Sequence, residues 1–237
     1  MTGGAAGIGE AIARRFAADG ASVVVLDAAE APGSQGVIAD VTDPAQVADA
    51  VRQAAGAEGI DICVANAGVS LMEDFLSEPP ERWELVLRVN LLGVMITLQA
   101  AAAAMASAGR GGRLLATASI AGLHGEPGSA AYCASKAGVI GLIKTLAIEL
   151  APLGITANAV APGQIDTAMN ARDLETVGSR SGRTAASLLQ EHLDRRVPAG
   201  RLGTPDEVAA LFAFLASDAA AFINGEVLRI DGGELAG

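Results

Sequence analysis

Aromatic and basic residues are scarce in this chain of 237 residues. Aromatic residues make up 3%, and 16 Lys and Arg residues stand against 27 Asp and Glu residues, which gives a formal net charge of -11. Binding to nucleic acid or to an anionic membrane requires a basic face, and base stacking requires aromatic rings. The composition therefore argues against nucleic acid and membrane as partners.

Cysteine is also rare. The two cysteines, Cys63 and Cys133, lack the spacing of metal ligands or of a disulfide framework. We therefore expect no metal and a reducing, cytoplasmic environment, and the Gly-rich start lacks the basic segment of a signal peptide. The stretch 91–109 is uncharged and close to membrane-spanning length, but its many small and polar residues predict a buried helix of a soluble protein.

The apolar pattern predicts alternating strands and helices in a single domain, residues 1–237. Periodicity and capping signals predict helices at 7–19, from 43, at 80–107, 130–150 and 204–216. Continuously apolar runs predict strands at 22–26, 60–65, 113–118, 155–161 and 227–230. Such strands, alternating with helices, indicate a parallel sheet covered on both faces. The predicted fold is α/β, a Rossmann-like doubly wound sheet in a three-layer α/β/α arrangement.

Residues 166–199 form an irregular stretch that is polar and Arg-rich, with a helical segment near 185–193. The stretch follows the carboxyl end of a predicted strand, where doubly wound proteins bind their ligands. This position favours a mobile substrate lid, although an ordinary surface loop would have the same composition.

A Gly-rich segment at residues 2–9, TGGAAGIG, leads directly into the first predicted helix. Glycines allow a sharp turn and a close approach to a pyrophosphate, and the helix N-terminus offers free N–H groups. Asp27 ends the next strand, where a carboxylate would bind ribose hydroxyls and repel a 2′-phosphate. No Lys or Arg lies within 2–9 or beside Asp27, so the pattern predicts NAD rather than NADP. A solvated carboxylate at a strand end is the alternative interpretation.

The single tyrosine of the chain, Tyr132, precedes one of its two lysines, Lys136, by four residues. Residues at i and i+4 share one face of a helix, so both side chains can reach one site. An ammonium beside a phenol favours the phenolate and lowers the tyrosine pKa from its usual value of ~10. The pair therefore predicts a general acid/base that moves a hydroxyl proton, and the alternative is a helix-surface pair without a function.

The order of these motifs resembles that of the short-chain dehydrogenase/reductase family over nearly the whole chain. The matching positions are Gly3, Gly7, Ile8, Gly9, Asn66-Ala67-Gly68, Ser119, Tyr132, Lys136, Pro162-Gly163, Arg201-Leu202-Gly203, Asn224-Gly225 and Asp231-Gly232-Gly233. Each motif alone is weak, but the combination is highly specific.

This resemblance implies an NAD-dependent oxidoreductase that interconverts a secondary alcohol and a ketone by hydride transfer. It implies that Tyr132 is the acid/base and that Ser119 orients the reacting oxygen. Lys136 would hold the nicotinamide ribose and lower the pKa of Tyr132, and Asn90 would anchor a water that relays protons. The resemblance implies cofactor contacts from Gly3, Gly7, Ile8, Gly9, Asp27, Asp40, Val41, Asn66, Ala67, Gly68, Tyr132, Lys136, Pro162, Gly163, Ile165 and Thr167.

Two other functions carry the same motifs. A 3-oxoacyl-thioester (acyl carrier protein) reductase shares all of them, although Asp27 speaks against the NADP preference usual in that group. A catalytically idle nucleotide-binding scaffold shares the fold, but the intact set of catalytic positions weighs against it. The resemblance also implies a homodimer or homotetramer, which the charge-poor stretches 91–106 and 139–150 would suit.

Four further side chains lie near the motifs. Gln164 and Met169 flank the expected pocket and are predicted to line it. His124 lies in the loop after Ser119, where a solvated side chain is the simpler interpretation, and His192 on a surface helix receives no role.

The chain departs from the family at its start. Family members have a first strand before the Gly-rich turn, whereas here Thr2 already belongs to that turn. One hypothesis is a start assigned too late, in which a GTG valine codon inside the strand is read as Met. A true truncation with a weakened cofactor site is the alternative. The intact mass of the protein from its host separates them, because a mass that matches residue 1 onward refutes the late start.

Overall fold

The protein is described by a computed structural model over residues 1–31 and 35–236, in which six strands form parallel pairs. The strands are β1 Val24–Asp27, β2 Gln35–Ile38, β3 Ile62–Ala65, β4 Gly112–Thr117, β5 Ile155–Pro162 and β6 Val227–Ile230. β2 pairs with β1, and the other four strands pair in the order β3-β4-β5-β6. In the longest pairing, Gly112 lies opposite Ile155 and Thr117 lies opposite Val160.

Thr2 connects the two groups of strands. It forms isolated parallel bridges to Leu26 of β1 and to Ala65 of β3. Its N–H donates to the Val64 carbonyl at 2.9 Å, and the Leu26 N–H donates to the Met1 carbonyl at 2.7 Å. Among the described residues no strand precedes the Gly-rich turn, and Met1 and Thr2 make the hydrogen bonds to β1 and β3 at this position.

Helices cover both faces of the sheet. They are α1 Gly7–Ala18, α2 Pro44–Ala55, α3 Pro80–Leu87, α4 Gly93–Ala108, α5 Ala130–Glu149, α6 Ala168–Ser181, α7 Ala185–Arg196 and α8 Pro205–Ala216. α1 and α8 pack together on one face, and α4 and α5 cover the other, with α2 against α4. These three layers confirm the predicted Rossmann-like α/β fold.

The central strands contribute side chains to both helix layers. In β4, Leu114 and Ala116 belong to the core under α4 and α5, whereas Leu115 belongs to the core under α1 and α8. All three residues are fully buried. A strand with two covered faces needs apolar residues at every position, which explains why continuous apolar runs marked these strands in the sequence.

The predicted capping signals start two helices. The Asp43 carboxylate accepts the Ala45 N–H at 2.9 Å at the beginning of α2. Thr204 and Glu207 form a reciprocal capping box at the beginning of α8. Both caps satisfy N–H groups that the first turn of a helix leaves without partners.

Three elements differ from the sequence prediction. The helix predicted over 80–107 is divided into α3, a π-helical turn at Arg88–Leu92, and α4. β2 was not predicted, because its sequence QGVI contains a glycine and is largely exposed. α6 was not predicted, because it is polar and contributes only Gly178 to the buried interior.

Within the described part of the chain, two helical segments, Pro80–Ala108 and Ala130–Glu149, are long and apolar enough to cross a membrane by length and composition. Both segments contribute to the core beneath the sheet, through Leu98 and Met105 on one and Val139 and Ile143 on the other. A core helix of a soluble protein passes the same test, so this finding is weak evidence for a membrane span.

Candidate active site

The functional positions predicted from the sequence gather at the carboxyl edge of the sheet. The segments after β3, β4 and β5 lie at this edge because the strands are parallel. The Gly-rich turn joins them there through Thr2, which lies between β1 and β3. This edge is where doubly wound folds bind nucleotides.

Close packing leaves no room for side chains at two glycines of the Gly-rich segment. A Cβ on Gly3, which has φ +67°, would lie 2.6 Å from the Ala67 Cα atom. A Cβ on Gly9 would lie 1.8 Å from the Gly3 carbonyl oxygen and 2.5 Å from Asn66 Nδ2. Gly7, at φ +58°, faces the Thr167 side chain. The turn therefore brings bare backbone to the start of α1, where the N-cap residue Ala6 provides no side-chain cap.

Asn66 fixes this turn against the sheet. Its Nδ2 donates to the Gly3 carbonyl at 2.8 Å, and its Oδ1 accepts the Thr117 hydroxyl at 2.9 Å. The Thr2 hydroxyl accepts the N–H groups of Asn66 and Ala67 at 3.1 and 3.3 Å. The Gly-rich turn, the segment after β3 and the end of β4 are thereby held in one geometry.

Asp27 lies at the end of β1 and contacts the same turn. Its Oδ2 accepts the Ala5 N–H at 2.9 Å, and its Oδ1 accepts the Ala29 N–H at 3.1 Å. The residue is half-buried. The Asp27 carboxylate is therefore bonded to the backbone of the Gly-rich turn and is also accessible from the site. The bond to the turn could not be predicted from the sequence.

The family resemblance also implies other cofactor positions, and these lie on the two sides of this edge. Asp40 is exposed and accepts the Thr42 N–H at 2.8 Å, while Val41 is buried. Ile165 is buried and bridges to Gly203, and Thr167 caps α6.

Gly163 and Pro162 end β5 beside β6. The Gly163 N–H donates to the Ile230 carbonyl at 3.0 Å. A Cβ at Gly163 would lie 2.9 Å from the Asp231 Cα atom, so this position tolerates only glycine without rearrangement. The Asp231-Gly232-Gly233 motif thus supports the segment that begins at Gly163.

Tyr132 lies in the first turn of α5 and interacts by hydrogen bonding with the Ser119 side chain, which follows β4. Burial raises the pKa of Tyr132 to about 12, and the interaction with Ser119 only partly counters this effect. Negative charge at Asp173 contributes to the same increase in pKa. The phenol is therefore protonated at neutral pH in the protein itself.

Lys136 lies one turn further along α5, with its ammonium 5.6 Å from the centre of the Tyr132 ring. The Nζ donates to the Thr117 carbonyl at 2.8 Å, and burial lowers the pKa of Lys136 to about 8. A Cβ on Gly68 would lie 3.6 Å from this Nζ, so the lysine faces the loop after β3.

The expected lowering of the Tyr132 pKa is therefore wrong for the protein by itself. The i,i+4 spacing places the two side chains on one face of α5, as predicted. However, desolvation of the phenol dominates its pKa, and Lys136 is itself desolvated and directed to the Thr117 carbonyl. Spacing along a helix contains no information on this burial.

Asn90 lies fully buried in the π-helical turn between α3 and α4. Its Oδ1 accepts the Val69 N–H at 2.8 Å, and its Nδ2 donates to the Val69 carbonyl at 2.9 Å and to Ser135 Oγ at 3.2 Å. The Ser135 hydroxyl donates to the Tyr132 carbonyl at 2.7 Å. The widened turn thus connects Asn90 both to the loop after Gly68 and to α5, and such turns are common at functional sites.

A cavity of about 300 Å³ lies between the loop after β3 and α6. It is lined by Gly68, Val69, Ser70, Leu71, Met72, Arg82, Met169, Arg172, Asp173 and Thr176. Met169 lines this cavity, in agreement with the sequence prediction. Asp173 was not predicted, because α6 itself was not recognised.

Other predicted residues are less central. Gln164 lines a different cavity, of about 210 Å³, together with Ile165 and residues near Gly203. The His124 Nδ1 lies 2.8 Å from the Gly125 carbonyl. His192, expected to be a plain surface residue, lies 3.0 Å from the fully buried Glu234 carboxylate. Among the described residues, no cluster of His, Cys, Asp and Glu could hold a metal.

Comparisons with known proteins agree with this architecture. A family profile described as Enoyl-(Acyl carrier protein) reductase matches residues 3–234. A short-chain type dehydrogenase/reductase from Mycobacterium marinum has 34% identity and a TM-score of 0.88, with 100% of this chain and 94% of that chain covered.

Two curated relatives differ in their substrates. The 3-oxoacyl-[acyl-carrier-protein] reductase FabG of Thermotoga maritima is 38% identical over 98% of this chain and 95% of its own. The L-rhamnose 1-dehydrogenase (NAD(P)(+)) of Azotobacter vinelandii is 37% identical over 98% of this chain and 94% of its own.

The fold and the residues at its carboxyl edge define an oxidoreductase built to bind a nicotinamide dinucleotide. The chain belongs to the short-chain dehydrogenase/reductase family, as its sequence motifs predicted.

Proposed function

We propose that this protein is an NAD(H)-preferring oxidoreductase that interconverts a small secondary alcohol and a ketone. Tyr132 acts as the general acid/base, Ser119 orients the reacting oxygen, and Lys136 and Asn90 support them. The observation that carries this proposal is the convergence of Tyr132, Ser119 and Lys136 at the carboxyl edge, beside Gly68.

The Gly-rich turn fits a dinucleotide. Its glycines leave no room for side chains at Gly3 and Gly9, and α1 begins without a side-chain cap. Uncapped N–H groups at a helix start favour an anionic pyrophosphate. Asp27 would bind ribose hydroxyls, Asp40 and Val41 would contact the adenine, and the segment from Pro162 to Thr167 would contact the nicotinamide.

A bound nicotinamide supplies the hydride acceptor in oxidation and the hydride donor in reduction. In oxidation, the carbon-bound hydrogen leaves with its electron pair and Tyr132, in its phenolate form, takes the hydroxyl proton. In reduction, the protonated phenol donates that proton to the carbonyl oxygen. Lys136 keeps an ammonium near the phenol, and the network from Ser135 through Asn90 to Val69 holds α5 against the neighbouring loop.

A screen of alcohols and ketones with both nicotinamides tests this function. The reduced-nicotinamide absorbance band is followed for each pair, and nucleotide affinity is measured separately by fluorescence quenching. Turnover of at least one secondary alcohol or ketone supports the proposal. Nucleotide binding without turnover over the whole panel contradicts it and indicates a scaffold.

Reduction of 3-oxoacyl thioesters is the second candidate function. The FabG relative, a 3-oxoacyl-[acyl-carrier-protein] reductase, favours it. Asp27 argues against the NADP preference usual in that group. A 3-oxoacyl thioester in the same screen separates the two functions. Its ketone belongs to an acyl chain linked to a carrier, whereas the substrates of the first function are small free molecules.

Replacing Asp27 is expected to reduce the preference for NAD. In Asp27→Asn the amide oxygen can still accept the Ala5 N–H, but the charge that repels a 2′-phosphate is lost. The ratio of kcat/KM with NAD(H) to that with NADP(H) should fall about tenfold, the difference between a charged and a neutral hydrogen bond. Steady-state kinetics with both cofactors measures this ratio.

Asp19→Asn is the matched control for Asp27. Asp19 pairs with Arg15 at the far end of α1, so its replacement should leave the cofactor ratio unchanged. An unchanged ratio in Asp27→Asn as well would show that Asp27 does not select the cofactor.

Residues 166–199 are proposed to act as a substrate lid. In this segment, Arg180 of α6 donates to the Glu73 carboxylate at 2.8 Å, and Arg82 of α3 donates to the same oxygen at 3.0 Å. Glu73 thereby ties the end of α6 to the body of the protein across the cavity.

Removing the Glu73 charge is expected to loosen this lid. In Glu73→Gln, amide hydrogen exchange in α6 should become roughly two- to tenfold faster, since the arginines are partly exposed and such ion pairs are weak. Exchange measured by mass spectrometry tests this. Glu191→Gln breaks ion pairs to Arg183 and Arg195 within the lid, and should leave exchange in α6 unchanged. Equal exchange rates of α6 in the wild type and in Glu73→Gln would show that Glu73 does not hold α6 in place.

A cytoplasmic homodimer or homotetramer is part of the proposal. The outward faces of the helices carry exposed apolar side chains, with Leu92 47% exposed and Ile148 78% exposed. Large apolar side chains on charge-poor helix faces suit contacts between subunits.

A further inference from the structure

The cavity between the loop after β3 and α6 contains a carboxylate with no role in moving the hydride or the proton. Asp173 of α6 lines the cavity together with Ser70, whose hydroxyl interacts with the carboxylate by hydrogen bonding. Partial burial raises the pKa of Asp173. A carboxylate that is partly desolvated gains from hydroxyl donors that replace lost water.

Asp173 lies close enough to the reacting group to interact with it electrostatically. Its charge acts on the Tyr132 phenol and raises the pKa of that phenol. The cavity also includes Gly68, which lies next to Lys136 Nζ. A substrate oxygen at Tyr132 would therefore have its neighbouring carbons in the same cavity as Asp173.

The charges around the cavity are nearly balanced. The Arg82 guanidinium is bound to Glu73, and Arg172 is adjacent to Asp173 in sequence and lowers its pKa. A phosphate or carboxylate substrate would thus find no unbalanced cation except the exposed Arg172. An acyl chain would instead displace water from Asp173 without offering a donor, which is costly.

The cavity is also small. Its volume of about 300 Å³ lies at the lower end of the range for ligand pockets. Besides Asp173, hydroxyl groups are available from Ser70 and Thr176. Acceptors and donors of this kind suit a compact molecule with several hydroxyl groups.

We propose that Asp173 binds hydroxyl groups of a small uncharged polyol or sugar, and so selects an alditol or aldose as the substrate. This inference rests on the proposed oxidoreductase function of the site. Asp173 accepts one or two hydroxyls next to the reacting carbon, while Tyr132 exchanges the proton of the reacting oxygen. The site thereby rejects alcohols that lack the neighbouring hydroxyls, because such an alcohol would displace water from the partly buried carboxylate without offering donors in its place.

Kinetics of Asp173→Asn with matched substrates tests the assignment. The probes are four- to six-carbon alditols and aldoses, 2-hexanol as an alcohol with one hydroxyl, and a 3-oxoacyl thioester. The wild type should prefer the polyols. The variant should lose about 10- to 100-fold in kcat/KM for the polyols, mainly through KM, and less than about threefold for 2-hexanol.

Glu175→Gln is the control on the same helix. Glu175 is exposed on α6, outside the residues that line the cavity, and its replacement should leave both substrates unaffected. Ser70→Ala is a second variant that removes the hydroxyl partner of Asp173 without touching the carboxylate. It should weaken polyol binding in the same direction, which guards against a folding defect in Asp173→Asn.

The outcomes separate this inference from the function on which it rests. Equal losses for polyols and 2-hexanol in Asp173→Asn, or a wild-type preference for 2-hexanol or the thioester, would overturn the role of Asp173 and leave the oxidoreductase function standing. Absence of turnover with every probe would contradict both the role of Asp173 and the oxidoreductase function.

Discussion

Tyr132→Phe is expected to lower kcat about 10²–10⁴-fold, the usual contribution of a general acid/base. The substitution removes only the hydroxyl, so the packing of the first turn of α5 and the network through Ser135 should persist. Nucleotide affinity should therefore change little. Steady-state kinetics with the best substrate of the screen, together with fluorescence titration of the nucleotide, measures both quantities.

Lys144→Met is the control for this loss. Lys144 is the other lysine of the chain and is exposed on α5, so removal of its charge should leave turnover unchanged. Because burial raises the pKa of Tyr132 to about 12, wild-type alcohol oxidation should also increase with pH through the alkaline range, as the phenolate forms. Full turnover by Tyr132→Phe would show that another group moves the proton.

The sequence was most informative where local patterns alone determine structure. Buried strands such as β4 carry apolar side chains on both faces of the sheet. Their sequences are therefore continuous apolar runs, which can be recognised without coordinates. The i,i+4 spacing likewise predicted that Tyr132 and Lys136 share a face of α5. Capping boxes marked helix starts because their hydrogen bonds are local.

The sequence was least informative where distant segments set the environment. The pKa of Tyr132 depends on burial between α5, the segment after β4 and Asp173, which spacing along one helix does not reveal. Asp173 itself was missed because α6 is polar and contributes only Gly178 to the buried interior. The π-helical turn at Asn90 was missed because its neighbouring helices read as one continuous apolar stretch.

Two of the helical glycines, Gly9 and Gly141, have contrasting surroundings, and replacing them should have opposite effects. Gly9→Ala places a Cβ 1.8 Å from the Gly3 carbonyl oxygen, with backbone rather than a flexible side chain in its way. The turn must shift, and the bond from Asn66 Nδ2 to the Gly3 carbonyl is lost. We expect about 1–3 kcal/mol lower stability from overpacking and about 10²-fold weaker nucleotide binding from the displaced turn.

Gly141→Ala introduces the same methyl group into open space on α5. Because alanine has the higher helix propensity, we expect about 0.5–1 kcal/mol greater stability and an unchanged nucleotide affinity. Thermal unfolding and nucleotide titration of both variants measure the contrast. If the nucleotide affinity of Gly9→Ala were within about threefold of the wild-type affinity, the close contact between this turn and the Asn66 loop would not determine the shape of the cofactor site.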